Sequence, residues 1–242
     1  MEKITHQTMS PTLSDSFSFG WEIMKDYFLR FFLLLLVLWL VSLPMGLFQW
    51  TAQYHTAGAI LLRIIGIGFA FLVFPVFNFA ADYLFLQGVR RETVDVKNIL
   101  RGFDYYLNII LANLLMSALI GIGILALIIP GIIVACRLAF VPYLVMDKQL
   151  DAIAAVEESW RMTRGYAWTI FGMGIVSLFI AIAGLLCLFI GIIPAIMWIS
   201  AAFATLYQTV QNQKEASAES TPVSQEMESV SDGPVSTESP QE

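Results

Sequence analysis

Charge is scarce in this chain. Only 13% of its 242 residues are Asp, Glu, Lys or Arg, about half the ~25% of a soluble globular domain. Too few charged groups remain to wet the surface of a water-soluble fold, so much of that surface must face lipid. Cysteine and histidine are scarcer still, two of each. Cys136 and Cys187 both lie inside apolar stretches. They read as small buried hydrophobes, and no disulfide framework is implied. His6 and His55 stand far apart in polar stretches, without the clustered partners that a metal site needs. The sequence also lacks Gly-x-Ser-x-Gly, His-Glu-x-x-His and a phosphate-binding Gly-rich loop with its Lys. No metal, no cofactor and no catalytic activity are expected. No secretory leader is expected either, because the first apolar run starts near residue 31, behind Glu2, Asp15, Glu22 and Asp26.

What is abundant is apolar length. Hydrophobic residues make up 58% of the chain and the mean hydropathy is +0.74. Residues 31–62, 105–136 and 165–213 carry no charge at all, in runs of 32, 32 and 49. A helix crosses the hydrocarbon core with about 20 residues at ~1.5 Å each. The fold class expected is all-α, a polytopic membrane protein with six transmembrane helices. The spans read as residues 31–50, 59–86, 107–129, 132–146, 168–190 and 191–209. The fourth is the shortest and carries Arg137 in its middle.

The basic residues give these spans a direction. Lys3, Lys25 and Arg30 precede the first span, and Arg90, Arg91, Lys97 and Arg101 lie between the second and third. Lys148, Arg161 and Arg164 lie between the fourth and fifth, and Lys214 follows the sixth. The opposite turns hold none. Positive loops stay on the cytoplasmic side, so both termini are expected inside, at a bacterial inner membrane.

Each odd-numbered span follows a segment with helical apolar spacing. These are Leu13, Phe17, Trp21, Met24 and Phe28; then Val96, Ile99, Leu100 and Phe103; then Ile153, Val156, Trp160 and Thr163. Such segments are expected to lie as amphipathic helices in the membrane interface. They share a pattern of two largely apolar residues, a basic residue, any residue and an aromatic, as in Ile23-Met24-Lys25-Asp26-Tyr27 and Met162-Thr163-Arg164-Gly165-Tyr166. Three parallel repeats follow, each an interfacial helix and a helical hairpin. The domain plan is residues 1–30 as an N-terminal cytoplasmic segment, 31–210 as the six-span domain and 211–242 as a tail. From Asn212 the tail holds seven acidic residues and one Lys. Low hydrophobicity with uncompensated charge predicts disorder there.

Polar residues at membrane depth are the candidates for chemistry: Asn78, Asp82, Asn113 and Arg137. At ~1.5 Å per residue Asp82 and Arg137 lie about 9 and 13 Å deep. Unpaired charges there are costly. A mutual Asp82–Arg137 pair is therefore expected, with Asn78 and Asn113 completing its hydrogen bonds. A structural pair is favoured over a proton path, because no further titratable groups extend it. The glycine pairs Gly66/Gly68 and Gly121/Gly123, and the stripe Gly174, Ser177, Ala181 and Gly184, read as close helix packing.

One stretch has a familiar look. Ile129-Pro130-Gly131-Ile132-Ile133 leads to Arg137-Leu138-Ala139, Pro142 and Leu144-Val145-Met146-Asp147. The run Glu158-Ser159-Trp160-Arg161-Met162-Thr163-Arg164-Gly165 follows. Over about residues 128–171 the chain resembles uncharacterised bacterial inner-membrane families related to the membrane domain attached to some glycerophosphoryl diester phosphodiesterases. The resemblance implies a multi-span helical domain. The attached catalytic domain has no counterpart here, so its activity is not implied. The expected role is a non-catalytic module that organises lipid or a membrane protein complex. A permease-like protein for a small or amphipathic solute is the alternative, kept open by Pro44, Pro75, Pro130, Pro142 and Pro194, since broken helices can build sites. The lipid bilayer is the implied partner, other membrane proteins come second, and no nucleic acid is expected.

Overall fold

The computed structural model describes residues 11–50, 56–186 and 191–219, with every side chain among them except those of residues 47, 49, 50, 218 and 219. The expectations for His6, His55, Cys187 and the tail beyond residue 219 lie outside these residues. Within them all regular structure is helical, and six stretches are long and apolar enough to cross a bilayer. The chain is an all-α, multi-pass membrane protein.

The element order repeats three times: a short helix, a long apolar helix and a returning helix. The first set is α1 (Leu13–Asp26), α2 (Phe28–Trp50) and a return split into α3 (Ala57–Leu72) and α4 (Phe74–Val89). The second is a 3-10 helix (Val96–Tyr105), α5 (Tyr106–Ala126) and a return split into α6 (Ile128–Arg137) and α7 (Val141–Asp147). The third is α8 (Ala152–Met162), α9 (Ala167–Leu186) and the unbroken α10 (Ile192–Glu219).

Proline explains both splits. Pro75 and Pro142 each stand in the first turn of the restarted helix. There the missing N–H does no harm, whereas inside a continuous helix it would remove a ladder hydrogen bond. The second and fourth spans, expected as single helices over residues 59–86 and 132–146, are thus each two. The sixth corrects in the other direction. Its helix runs to Glu219, past residue 209 and nine residues into the stretch assigned to the tail.

Large apolar side chains stand exposed along α2 (Leu36, Leu40), α3 (Ile60, Ile64), α5 (Leu107, Leu111) and α9 (Leu178, Leu186). A monomer in water rarely leaves so much apolar surface bare, and here it faces acyl chains. The protein-filled core lies between α4, α7 and α10, where Leu84, Leu86, Leu144, Leu206 and Tyr207 are fully buried.

The short helices are amphipathic, but their apolar faces are shared between protein and surroundings. Helix α1 packs closely on α10 at Gly20: a Cβ there would come within 2.8 Å of the Ala202 backbone nitrogen. Its Phe17 and Met24 are buried, while Trp21 stays exposed. On α8 the face expected to be apolar is the outer one, with Ile153 and Trp160 exposed. The face that packs inward is Ala152, Ala155, Ser159 and Met162. Of the expected face, Val156 is half-buried and Thr163 fully buried. The inward face of small residues carries too weak a hydropathy signal to be read from the period. The 3-10 helix buries Ile99 and Gly102 and leaves Leu100 and Phe103 exposed.

Glycines divide in the same way. Gly66 packs against the Phe48 ring, Gly123 against Gly131, and Gly184 against the Gly191 carbonyl, each with an added Cβ under 3.0 Å from its neighbour. Gly68, Gly121 and Gly174 have open space instead. One member of each expected pair, and one of the two glycines in the stripe, makes a close approach.

Candidate functional site

Contacts gather the basic loops at one end of the bundle. Arg91, just past α4, pairs with Glu22 of α1 at 2.8 Å. Lys148, just past α7, faces Glu215 of α10 at 3.9 Å. The Lys214 ammonium of α10 donates to the Arg161 carbonyl of α8 at 2.5 Å. We call this the basic end.

At its centre is a pair that joins three helices. The Arg90 guanidinium grips Asp147 with two hydrogen bonds, Nη1 to Oδ1 at 2.5 Å and Nη2 to Oδ2 at 2.7 Å. Nε donates to Gln208 Oε1 at 2.6 Å, and Nη2 also reaches Gln211 Oε1 at 3.4 Å. The Tyr207 hydroxyl donates to Asp147 Oδ2 at 3.0 Å. Asp147 is 9% exposed and Arg90 22%. Burial works against the Arg90 charge, but hydrogen bonding and attraction from Asp147 more than restore it, and the net shift of its pKa is upward. A planar fork on a carboxylate has this strength and directionality; an ammonium would not. Sequence reasoning missed this network. Arg90 and Asp147 each sit at the end of a span, where a charge reads as a headgroup anchor. Nothing local links residues 57 apart in sequence.

The four residues expected to form an intramembrane cluster do not bond to one another among the described residues. The Asn78 side chain donates to the Phe74 carbonyl, four residues back, at 3.0 Å. Asn113 is half-buried on α5. Arg137 lies with its guanidinium carbon 5.6 Å from the Trp160 ring centre, a cation–π contact. Its carbonyl accepts from the Ser159 hydroxyl at 2.8 Å and the Thr163 hydroxyl at 3.4 Å. Asp82 makes no ion pair with it. The expected Asp82–Arg137 pair is overturned, because α6 ends at Arg137 and turns that residue to α8. Depth along two helices was a fair estimate, but depth says nothing about azimuth. Asp82→Asn and Arg137→Gln should therefore have independent effects on the thermal unfolding midpoint in mild detergent. Their sum should match the double variant within ~0.5 kcal/mol, and a larger coupling would restore the pair.

Two concavities frame the network. One has a volume of about 210 Å³ and is lined by Asp82, Ala139, Tyr143, Ile199, Ser200 and Phe203. The other, about 450 Å³, lies at the basic end among Lys148, Glu158, Arg161, Met162, Gln211, Lys214, Glu215 and Ser217. No group of three His, Cys, Asp or Glu able to hold a metal occurs among the described residues.

The residues that carried the resemblance have structural jobs here. Gly131 meets Gly123 and Ile124, closing the turn between α5 and α6. Ser159 and Thr163, both fully buried, anchor α8 on Arg137. Asp147 holds Arg90. Gly165 takes φ +90° between α8 and α9, a left-handed conformation that strains other residues. Among known families, one described as a domain of unknown function (DUF7847) matches residues 54–221. That is well over half of the chain, and the chain belongs to this family. No curated protein matches it, and no solved structure does.

Proposed function

We propose that this member of the DUF7847 family is a non-catalytic protein of a bacterial inner membrane that organises phospholipid at its basic end. Its relationship to the membrane domain of glycerophosphoryl diester phosphodiesterases, on the residues quoted above, is part of the same proposal. The observation that carries it is the 450 Å³ groove, where Lys148, Arg161 and Lys214 stand together with Glu158 and Glu215. Three cations can take a phosphate, and the two carboxylates suit the amine of a zwitterionic headgroup. Arg161 pairs closely with Glu158, while Lys148 faces Glu215 only at 3.9 Å, an exposed contact of the kind that is worth little. The setting fits too. Trp168, 83% exposed at the start of α9, is placed as aromatic residues are at headgroup depth.

On this reading both termini and the basic end face the cytoplasm, where anionic lipid is enriched. Each Lys or Arg near a membrane surface contributes about 1 kcal/mol of attraction. Lys148→Gln with Lys214→Gln should then weaken phospholipid retention roughly 30-fold, at ~1.4 kcal/mol per factor of ten. The check is native mass spectrometry of detergent-purified protein exchanged against anionic, zwitterionic and neutral lipids. Unchanged retention in the double variant would sink the proposal, as would a reporter near Val94 reading the outer side. A solute permease is the second reading. One observation favours it, the cavity at Asp82.

A further inference from the structure

Three polar side chains meet at that cavity. Asp82 of α4, Tyr143 of α7 and Ser200 of α10 all line it. None of their side chains makes a hydrogen bond or ion pair among the described residues. On the neighbouring turns of α10 the polar groups are engaged: Thr205 and Thr209 donate to carbonyls one turn back, and Tyr207 donates to Asp147. Gln87 Oε1, Ser177 Oγ and two Arg137 nitrogens are buried without a partner among the described residues, but they lie apart from one another along the chain. Tyr143 is only 3% exposed. Three unbonded polar groups converging on one space mark a site for a group that can bond a carboxylate and two hydroxyls.

The charge of the lining says what kind of thing. No Lys, Arg or His lines the cavity. Arg90 is held by Asp147, and Arg137 lies against the Trp160 ring rather than in an ion pair with Asp82. When ionised, the Asp82 carboxylate, with two hydroxyl oxygens beside it, takes a cation. Size then selects among cations. The open concavity, about 210 Å³, is far larger than a bare monovalent ion. A divalent ion would want six or more oxygens, and three side chains supply four. The other half of the lining is apolar and aromatic, Ala139, Ile199 and Phe203, with the Tyr143 ring held in place by stacking on Tyr207 at 5.0 Å.

We propose that Asp82, Tyr143 and Ser200 form a binding site for a small primary alkylammonium ion. Its N–H groups donate to the carboxylate and the two hydroxyls, its charge lies against the Tyr143 and Phe203 rings, and its short hydrocarbon covers Ala139 and Ile199. The site is independent of the headgroup groove, and it binds whether or not the solute crosses the membrane.

Full-length protein in mild detergent is titrated with n-butylammonium while its unfolding midpoint is followed. Sodium chloride at equal ionic strength and n-butanol serve as the charge and shape controls. A saturable rise of the midpoint is expected for the amine alone. Asp82→Asn should weaken it at least tenfold, and Tyr143→Phe and Ser200→Ala severalfold each. Lys148→Gln with Lys214→Gln should bind the amine as the unsubstituted chain does. No saturable rise, an equal rise with sodium or butanol, or unchanged affinity in Asp82→Asn would overturn the assignment. If Asp82→Asn does not fold, unchanged affinity in both hydroxyl variants overturns it equally.

Discussion

Asp147→Ala is expected to destabilise the protein by about 3–5 kcal/mol, the usual consequence of leaving a buried charge without its partner. Arg90 would keep its charge beside two glutamines while losing both carboxylate hydrogen bonds. The Tyr207 hydroxyl would lose its acceptor in the same step. Because the pair ties α4 to α7 and Tyr207 ties α10 to it, three helices loosen together. Arg90→Lys should also cost stability, since an ammonium cannot grip a carboxylate with a planar fork. The exposed pair Arg91–Glu22, about half accessible on both sides, makes a sharp control. Glu22→Ala should change stability by no more than ~1 kcal/mol. Thermal unfolding midpoints in one detergent decide this. Similar losses for Asp147→Ala and Glu22→Ala would show that the basic-end network does not hold the bundle.

Gly20→Leu is expected to push α1 off α10. An added Cβ would meet Ala202 nitrogen at 2.8 Å and its Cα at 2.9 Å. Those are backbone atoms of a packed helix and cannot rotate away. Alanine alone should cost about 1–3 kcal/mol by overpacking, and leucine more. The edge-on contacts of Trp198 with Phe17 and Trp21, and its indole N–H bond to the Phe17 carbonyl at 2.8 Å, would go as well. Gly121→Ala is the counterpart. Its position on α5 is open, so the variant should be neutral or gain up to ~1 kcal/mol of helix propensity. Limited proteolysis gives the readout: segment 13–26 should become cleavable in Gly20→Leu. Full protection there would mean that α1 is held by something other than this contact.

Residues 13–26 show what could and could not be read in advance. Their apolar period was visible, but α10 as the surface that receives them was not. Gly20 looked like any glycine, because its role depends on the backbone of Ala202, 182 residues further along the chain. On α8 the outward apolar residues match an interfacial helix, but the packed face was not legible. Ile153 and Trp160 dominate its hydropathy, yet the packed face is alanine and serine. In lipid a helix gains little by hiding large apolar groups, since the acyl chains are equally apolar. Small residues instead mark where helices touch. Pro75 and Pro142 were noticed as breaks that could build sites, and both do restart helices. The Asp82 cavity lies between two such restarted helices and α10.

By itself the sequence determined the solvent, the helical class and the number of crossings. These follow from composition and from runs of about 20 apolar residues, which are local and additive along the chain. Tertiary structure alone decided the partners: Arg90 with Asp147, Arg137 with Trp160, and Asp82 with an open cavity. The reason is geometric. Sequence gives a charge its approximate depth along a span, while the choice of partner depends on how each helix is rotated and where it breaks. Those are settled only when all the helices pack at once.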